Sequence, residues 1–577
     1  MAILNHADDA SPANDDNPAT APAMAPATNP RPLDADEFRR QGRLVVDFIA
    51  DYYARVEEYP VRPSVTPGFL SRKLPETAPE QPEPGHGDAF ASALRDVRDL
   101  ILPGITHWQS PNHFAHFAAT ASNVGALGEA LAAGLNINPF TWAASSAATE
   151  LEVVVTDWLG KALHLPQELL FSGGGGGTLL GTSCEAMLCT VVAARDRKLG
   201  EIGEHRIGDL VVYCSDQTHF SFRKAARVAG IRRANCREIP TSLESDFALS
   251  PSALLAAVRA DEAAGLVPLY LCVTVGTTPT AAVDPVRELC AAVAGRGVWV
   301  HVDAAYAGAA RVCPELLRHA GAIVDGVDSF STNPHKWLLA NMDCCALWVQ
   351  QPDALVAALG TDHDVILKDP AAAAAGDVVV DYKDWQVALS RRFRALKLWL
   401  LLRCHGVEGL RAHVRDGLRM AEAFEAMVRA DARFEVPVRR QLSLVCFRLR
   451  PTAVIREKQQ QQRGRRRDHD DDTAAANELN RRLLEAVNAT GRTYMSCAVV
   501  GGVYMLRCAI GNSLTEDRHV EEAWNVVQEQ ASAILDAAMV VRADECTVCT
   551  AAHCVQMGMV DDILAASFPT GNEVTIR

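Results

Sequence analysis

The sequence contains no apolar run approaching twenty residues without a charge, glycine or proline inside it. A helical membrane span is therefore excluded from the reading. Positive charge is also short: 56 Lys and Arg stand against 71 Asp and Glu, a formal net charge of −15. Phosphate backbones call for a basic face, so nucleic acid is not expected as the main partner. A disulfide framework is missing too. The sixteen cysteines are scattered, and several, among them Cys272 and the Cys344-Cys345 pair, sit in apolar runs. That usage belongs to a reducing compartment. Residues 1–32 have Arg31 as their only Lys or Arg, and show neither the apolar core of a secretory signal nor the Arg/Ser character of a transit peptide. Their Ala, Pro, Asn and Asp predict a disordered leader on a cytoplasmic protein.

What is present is enough for a large interior: 577 residues, 49% of them hydrophobic, from which two to four structural units are expected. An apolar stripe of Phe38, Leu44, Val45, Phe48, Ile49 and Tyr52 predicts a first helix, and Phe90 to Leu102 a second, within an N-terminal helical segment over 33–115. From 116 to 405, apolar strands alternate with helices and carry polar residues at their C-terminal ends. That pattern predicts an α/β fold with a mostly parallel, doubly wound sheet. A smaller α+β domain is expected over 406–540. Within it the Gln-rich, then basic, then acidic stretch 457–472 reads as a disordered insertion. The tail 541–577 holds Cys546, Cys549, His553 and Cys554, crowded too closely for a tetrahedral structural site, so no metal is expected.

Chemistry gathers at the strand ends. Val327–Ser331 alternates as a strand should, and Asn333-Pro334 then force the chain out of it. His335 and Lys336 are left at its end, ahead of Trp337-Leu338-Leu339. Desolvation by such neighbours lowers an ammonium pKa, and a free amine can form a Schiff base with an aldehyde cofactor. A lone lysine more often snorkels from an ordinary loop. The deciding context lies upstream, where Val298–Val302 forms a buried type of strand that stops at Asp303. A carboxylate there is costly without a cationic partner. The protonated ring nitrogen of pyridoxal phosphate (PLP) is such a partner, and the charged ring is an electron sink. The rival reading of Asp303 alone is a helix cap or structural ion pair. Five glycines, Gly173 to Gly177, precede Gly181-Thr182-Ser183-Cys184, which opens an apolar helix. Glycine amides and a helix N-terminus suit a phosphate, held by the Ser183 and Cys184 amides and a hydroxyl from Thr182 or Ser183. A nucleotide P-loop would need a lysine after the glycines, and none is there. His219 follows the strand Leu210–Cys214, and Thr274 lies in the strand Leu269–Val275, which ends in Gly276-Thr277-Thr278.

The segments SDQTHFSF (215–222), HVDAAYAG (301–308), DSFSTNPHKW (328–337), VVDYKDWQ (379–386) and SRRFRALKLW (390–399) resemble the plant aromatic L-amino acid decarboxylases, tyrosine/dopa type. Those are group II PLP-dependent decarboxylases of fold type I, and the resemblance runs from about Leu33 to about Ser532. It implies PLP held by Lys336 and Asp303, with His219 stacked on the ring and Thr274 helping to hold Asp303. Ala305, Asn333 and His335 complete the implied cofactor set beside Thr182, Ser183 and Cys184. It also implies a homodimer wrapped by the N-terminal helices, and a substrate pocket of Trp108, His116, Phe117, Ala118, Ser390 and Ile366. The family's usual Tyr and Pro are here His116 and Ala118, and Ser390 matches the tyrosine-type enzymes. The family's loop tyrosine, which returns the proton to Cα, is replaced by Ile366. Aromatic acetaldehyde synthases also lack that tyrosine. The implied activity is decarboxylation of tyrosine or dopa to the amine and CO2. The alternative product set is aldehyde, ammonia and peroxide, and a lesser reading is a weakly active homologue serving as a dimer partner.

Overall fold

A computed structural model describes residues 32–80, 88–321, 323, 326–361, 379–450 and 469–555, with backbone alone at 469–472 and 537–555. The chain divides into two compact units, Met1–Ala54 with Gly68–Pro103, and Arg55–Pro67 with Gly104–Arg577. In the first, the helix Ala35–Ala54 buries none of its residues, and Phe38 on its apolar stripe is 69% exposed. The helix Ala89–Asp96 is capped by Asp88, whose carboxylate accepts the Phe90 and Ala91 amides and pairs with Arg40. Such a cap satisfies donors that a helix cannot satisfy itself.

The segment expected over 33–115 thus divides at Pro103. The aromatic stretch after it belongs to the second unit because Phe114 is fully buried there. Phe114 exchanges backbone hydrogen bonds with Tyr494 and Ala509.

The second unit is built on a seven-stranded sheet: β1 (Gly176–Leu180), β2 (Leu210–Ser215), β3 (Cys236–Ile239), β4 (Val267–Thr274), β5 (Trp299–Asp303), β6 (Ser329–Thr332) and β7 (Cys345–Val349). Its order is β1-β7-β6-β5-β4-β2-β3, with only β7 antiparallel to its neighbours. Alternate residues of one strand enter different cores. Val211, Val273, Val300 and Val302 pack on one face, while Val212, Cys272, Trp299 and Leu347 pack on the other. Helices therefore cover both faces, which is why these strands read as unbroken apolar runs.

Two of the five glycines lie within a strand of the sheet. Gly176 and Gly177 are in β1, and a Cβ on Gly177 would lie 2.7 Å from Thr156 and 2.9 Å from the Trp348 indole. Gly177 lets β1 sit tightly against the helix Ser146–Ala162.

A second sheet, β8 (Phe434–Glu435), β9 (Leu444–Leu449), β10 (Ser496–Val500) and β11 (Val503–Ala509), is antiparallel in the order β10-β11-β9-β8. It packs around Phe424, Phe434, Phe447 and Trp524. The helix Arg394–Ala430 serves both sheets and bends at Gly406, whose φ of 63° is left-handed. Two expectations shift in this region. The helix His469–Ala489 begins inside the stretch 457–472, and the helix Asp517–Val555 continues past 540. Among the described residues no helix is long and apolar enough to cross a membrane.

Candidate active site

β5 and β6 are parallel neighbours in the middle of the large sheet, and their C-terminal ends bring Asp303 and Lys336 to one place. Asp303 closes β5 in register with Thr274 on one side and Ser331 on the other. Its side chain is buried, and the Ala305 amide donates to Oδ1 at 3.1 Å. Burial pushes this carboxyl above its ordinary range, opposed by the charge of Lys336 and by that amide.

Lys336 follows β6 on the single helical turn Pro334–Trp337, with its amide bonded to the Asn333 carbonyl at 2.8 Å. Its Nζ makes no hydrogen bond or ion pair with any described residue. The nearest aromatic face is Phe117, with the ring centroid 5.9 Å away. Desolvation lowers the Lys336 pKa, against the opposing charge of Asp303.

The twenty-residue helix Ser183–Ile202 points its N-terminus into this region, with Thr182 as cap. The amides of Ser183 and Cys184 lie in the first turn, where a helix has no partners for them. Of the two hydroxyls, Ser183 Oγ donates to Asn333 Oδ1 at 2.8 Å, and Thr182 Oγ1 accepts the Glu185 amide at 3.4 Å. Ser183 and Asn333 thereby tie the helix start to the loop that carries Lys336.

His219 caps the helix Phe220–Val228, and its Nδ1 accepts the Ser221 amide. Burial, then the nearby Lys336, hold its pKa below the ordinary imidazole value. Thr274 stands beside Asp303, yet its hydroxyl donates to Thr218 Oγ1 at 3.4 Å rather than to the carboxylate. His335 turns away from the site as well. Its Nδ1 accepts the Cys344 amide at 3.1 Å, and its carbonyl accepts the Thr120 hydroxyl, so it braces the connection from β6 to β7.

The aromatic wall is ordered by stacking. Phe117 lies 3.6 Å from Tyr306 with the rings 10° apart, and Tyr306 stacks in turn on Trp337 at 5.1 Å. Trp108, 40% exposed, stacks on His113 at 4.8 Å and on His116 at 5.3 Å, while Ala118 is buried behind them. Ser390 is not drawn into this group: its described partner is Asn138. Ile366 lies outside the described residues.

Sequence reading missed two participants. Tyr306 sits inside a recognised segment but had no role, and its hydroxyl accepts the amide of Ser443, just ahead of β9. Arg507 on β11 is 3% exposed, with its guanidinium 5.5 Å over the Phe117 ring. It donates to the Pro279 and Ala115 carbonyls and to Ser496 Oγ, and its buried Nη2 has no hydrogen-bond partner among the described residues. A buried cation with a spare donor beside a cleft invites an anion. The available signal was an arginine within the apolar run Val503–Cys508.

These residues fit PLP. A buried acid is pushed up by desolvation, a desolvated amine without acceptors among the described residues acts on it by its charge, and a helix N-terminus is tied by Ser183 to the loop that carries that amine. Together they define a PLP-dependent enzyme built on an α/β sheet.

The comparisons agree. The family model described as the pyridoxal-dependent decarboxylase conserved domain matches residues 67–450. A protein named tyrosine decarboxylase from Oryza sativa subsp. japonica is 69% identical over 505 residues, which is 87% of this chain and 92% of that one. A phenylacetaldehyde synthase from a Rosa hybrid cultivar is 53% identical, over 87% of this chain and 95% of its own. The crystal structure of Oryza sativa TDC with PLP and tryptamine superposes with a TM-score of 0.81 at 44% identity, covering 88% of this chain and 99% of that one. The chain belongs to the pyridoxal-dependent decarboxylase family, and is a carboxy-lyase that uses PLP and acts on an amino acid.

Proposed function

We propose that this chain removes the carboxyl group of tyrosine, and of dopa, to give the aromatic amine and CO2. The observation that carries the reading is the desolvated Lys336 set opposite buried Asp303 beside the Phe117 ring. The 69% identity to a tyrosine decarboxylase directs it to phenolic substrates.

When bound, PLP supplies the electron sink that lets CO2 depart. Lys336 Nζ, as a free amine, is the group that holds the cofactor aldehyde. Asp303 holds the proton on the ring nitrogen, with Ala305 fixing the carboxylate. The Ser183 and Cys184 amides hold the phosphate, with Thr182 capping their helix and Asn333 tying Ser183 in place. His219 and the unpartnered Nη2 of Arg507 orient the substrate carboxylate. Phe117 and Trp108 flank the aromatic side chain, and neutral His116, its pKa lowered by burial and by Arg507, offers a polar edge where the resembled family has tyrosine.

The exposed apolar stripe of the N-terminal helix supports a second copy of this chain as partner. Reduced, scattered cysteines support a cytoplasmic location.

The second reading, an acetaldehyde synthase, rests on Ile366 standing where the decarboxylases have tyrosine, and on the relative named phenylacetaldehyde synthase. One assay separates them. Purified protein is given tyrosine, dopa, phenylalanine and tryptophan while CO2, amine, aldehyde and peroxide are followed together. Amine matching CO2 without peroxide supports the decarboxylase, and peroxide in step with CO2 overturns it.

A further inference from the structure

His219 has two ring nitrogens, and the fold specifies the state of one of them. The Ser221 amide lies 3.3 Å from Nδ1, and a backbone N–H can only donate, so Nδ1 carries no proton. The Ser221 hydroxyl is 2.6 Å from the same nitrogen and 3.7 Å from Met187 Sδ. It has one proton to give, and the shorter contact to the stronger acceptor takes it. Nδ1 thus accepts twice from one residue, and the proton of a neutral ring must sit on Nε2.

We propose that Ser221 is a positioning residue that locks His219 as its Nε2–H tautomer, presenting a neutral hydrogen-bond donor to the substrate carboxylate. The proposal rests on the reading of His219 given above.

The hydrogen bonds at Nδ1 and the charge acting on the ring work against its charged form. A proton on Nδ1 would set N–H against N–H and remove the cap of the helix Phe220–Val228. Lys336 is the charged group acting on the ring, and the helix N-terminus adds partial positive charge. On the other sides it meets the Phe220 ring at 4.1 Å, and beyond Ser221 the uncharged Met187 and the thiol of Cys184. Without the hydroxyl only the longer amide contact remains, and the ring can take the other tautomer or a second proton.

The test uses full-length holoenzyme, with kcat and KM for tyrosine measured across pH and cofactor loading checked by visible absorbance. For Ser221→Ala, kcat should fall about tenfold. Its acid limb should move about one pH unit upward, since removing a donor to the neutral form raises the ring pKa. Ser221→Thr, which keeps the hydroxyl, should restore both, and His219→Gln should abolish that limb. A Ser221→Ala profile that superimposes on wild type, while His219→Gln loses activity, overturns the lock alone. Wild-type behaviour of His219→Gln overturns the reading of His219 and the lock with it. Should Ser221→Ala fail to load cofactor, Ser221→Cys carries the test. A smaller upward shift supports the lock, and an unmoved limb refutes it.

Discussion

Lys397 and Lys336 are two lysines drawn into the same unit, and their surroundings make them opposites. Lys397 is 1% exposed and reaches Glu129, the Asn341 carbonyl at 2.8 Å and the Asp343 carbonyl at 2.7 Å. Its helix can approach because Gly128 faces it, where a Cβ would come within 2.8 Å of the Lys397 Cα. Lys336 is less enclosed, yet its Nζ has no such acceptor among the described residues. Burial alone therefore does not make a lysine a nucleophile. An ammonium with oxygens around it is a structural pin, whereas one stripped of water and given none drifts toward the free amine.

The sharpest break of that contrast is Lys336→Ala. Turnover should drop below detection, and the visible absorbance of lysine-held cofactor should vanish on addition of PLP. If either survives, Lys336 is not the tether and the comparison has no reactive side. Asp303→Asn is the next largest. With the tether kept but the acid neutralised, kcat should fall about a hundredfold or more while the absorbance persists. An unchanged kcat would show that the ring nitrogen needs no carboxylate.

The contrast also marks what the sequence could say. Lys336 is followed by Trp-Leu-Leu, but Lys397 sits in Ala-Leu-Lys-Leu-Trp, an equally apolar setting. Flanking residues therefore report desolvation in both cases and cannot report acceptors, which come from Glu129, Asn341 and Asp343 far away in the chain. Asp303 and Lys336 could be placed from sequence because one closes a strand and the other follows the next strand within a few residues, and strand ends of a parallel sheet converge by topology. The doubly wound sheet was legible for the same reason.

The glycine run was ambiguous in sequence because glycine serves close packing and anion approach alike, and only Thr156 and Trp348 across from Gly177 reveal the close packing there. His335 and Thr274 lay in the right segments, yet their side chains turn to Cys344 and Thr218. Arg507 went unseen because its value lies in a donor left over after two others are used, which no spacing encodes.

The structural side of the contrast is tested by Lys397→Met. Removing the ammonium leaves Glu129 and two carbonyls without their shared partner, which should cost about 3 kcal/mol of unfolding free energy. Turnover per folded, cofactor-loaded molecule should stay near wild type. Urea unfolding and single-turnover assays on one preparation would check both. Lost turnover in a fully folded variant would mean that the pin also shapes the site.

The smallest effect concerns the chain neighbour of Lys336. His335 is buried, accepts the Cys344 amide at Nδ1, and is pushed down to about 4, first by burial and then by Lys336. An unfolded imidazole titrates near 6.5, so between those values the unfolded chain binds a proton that the fold refuses. Stability from this group is present above the unfolded pKa and is lost as pH falls, by about 2 kcal/mol near pH 5. Urea unfolding of cofactor-free protein at neutral pH and near pH 5 should therefore show wild type losing about that much more than His335→Gln, which cannot titrate but can still accept the Cys344 amide. Equal losses would mean that His335 is already charged in the fold. Lys336 would then face a second cation beside it, and its drift toward the free amine could no longer be assigned to missing acceptors.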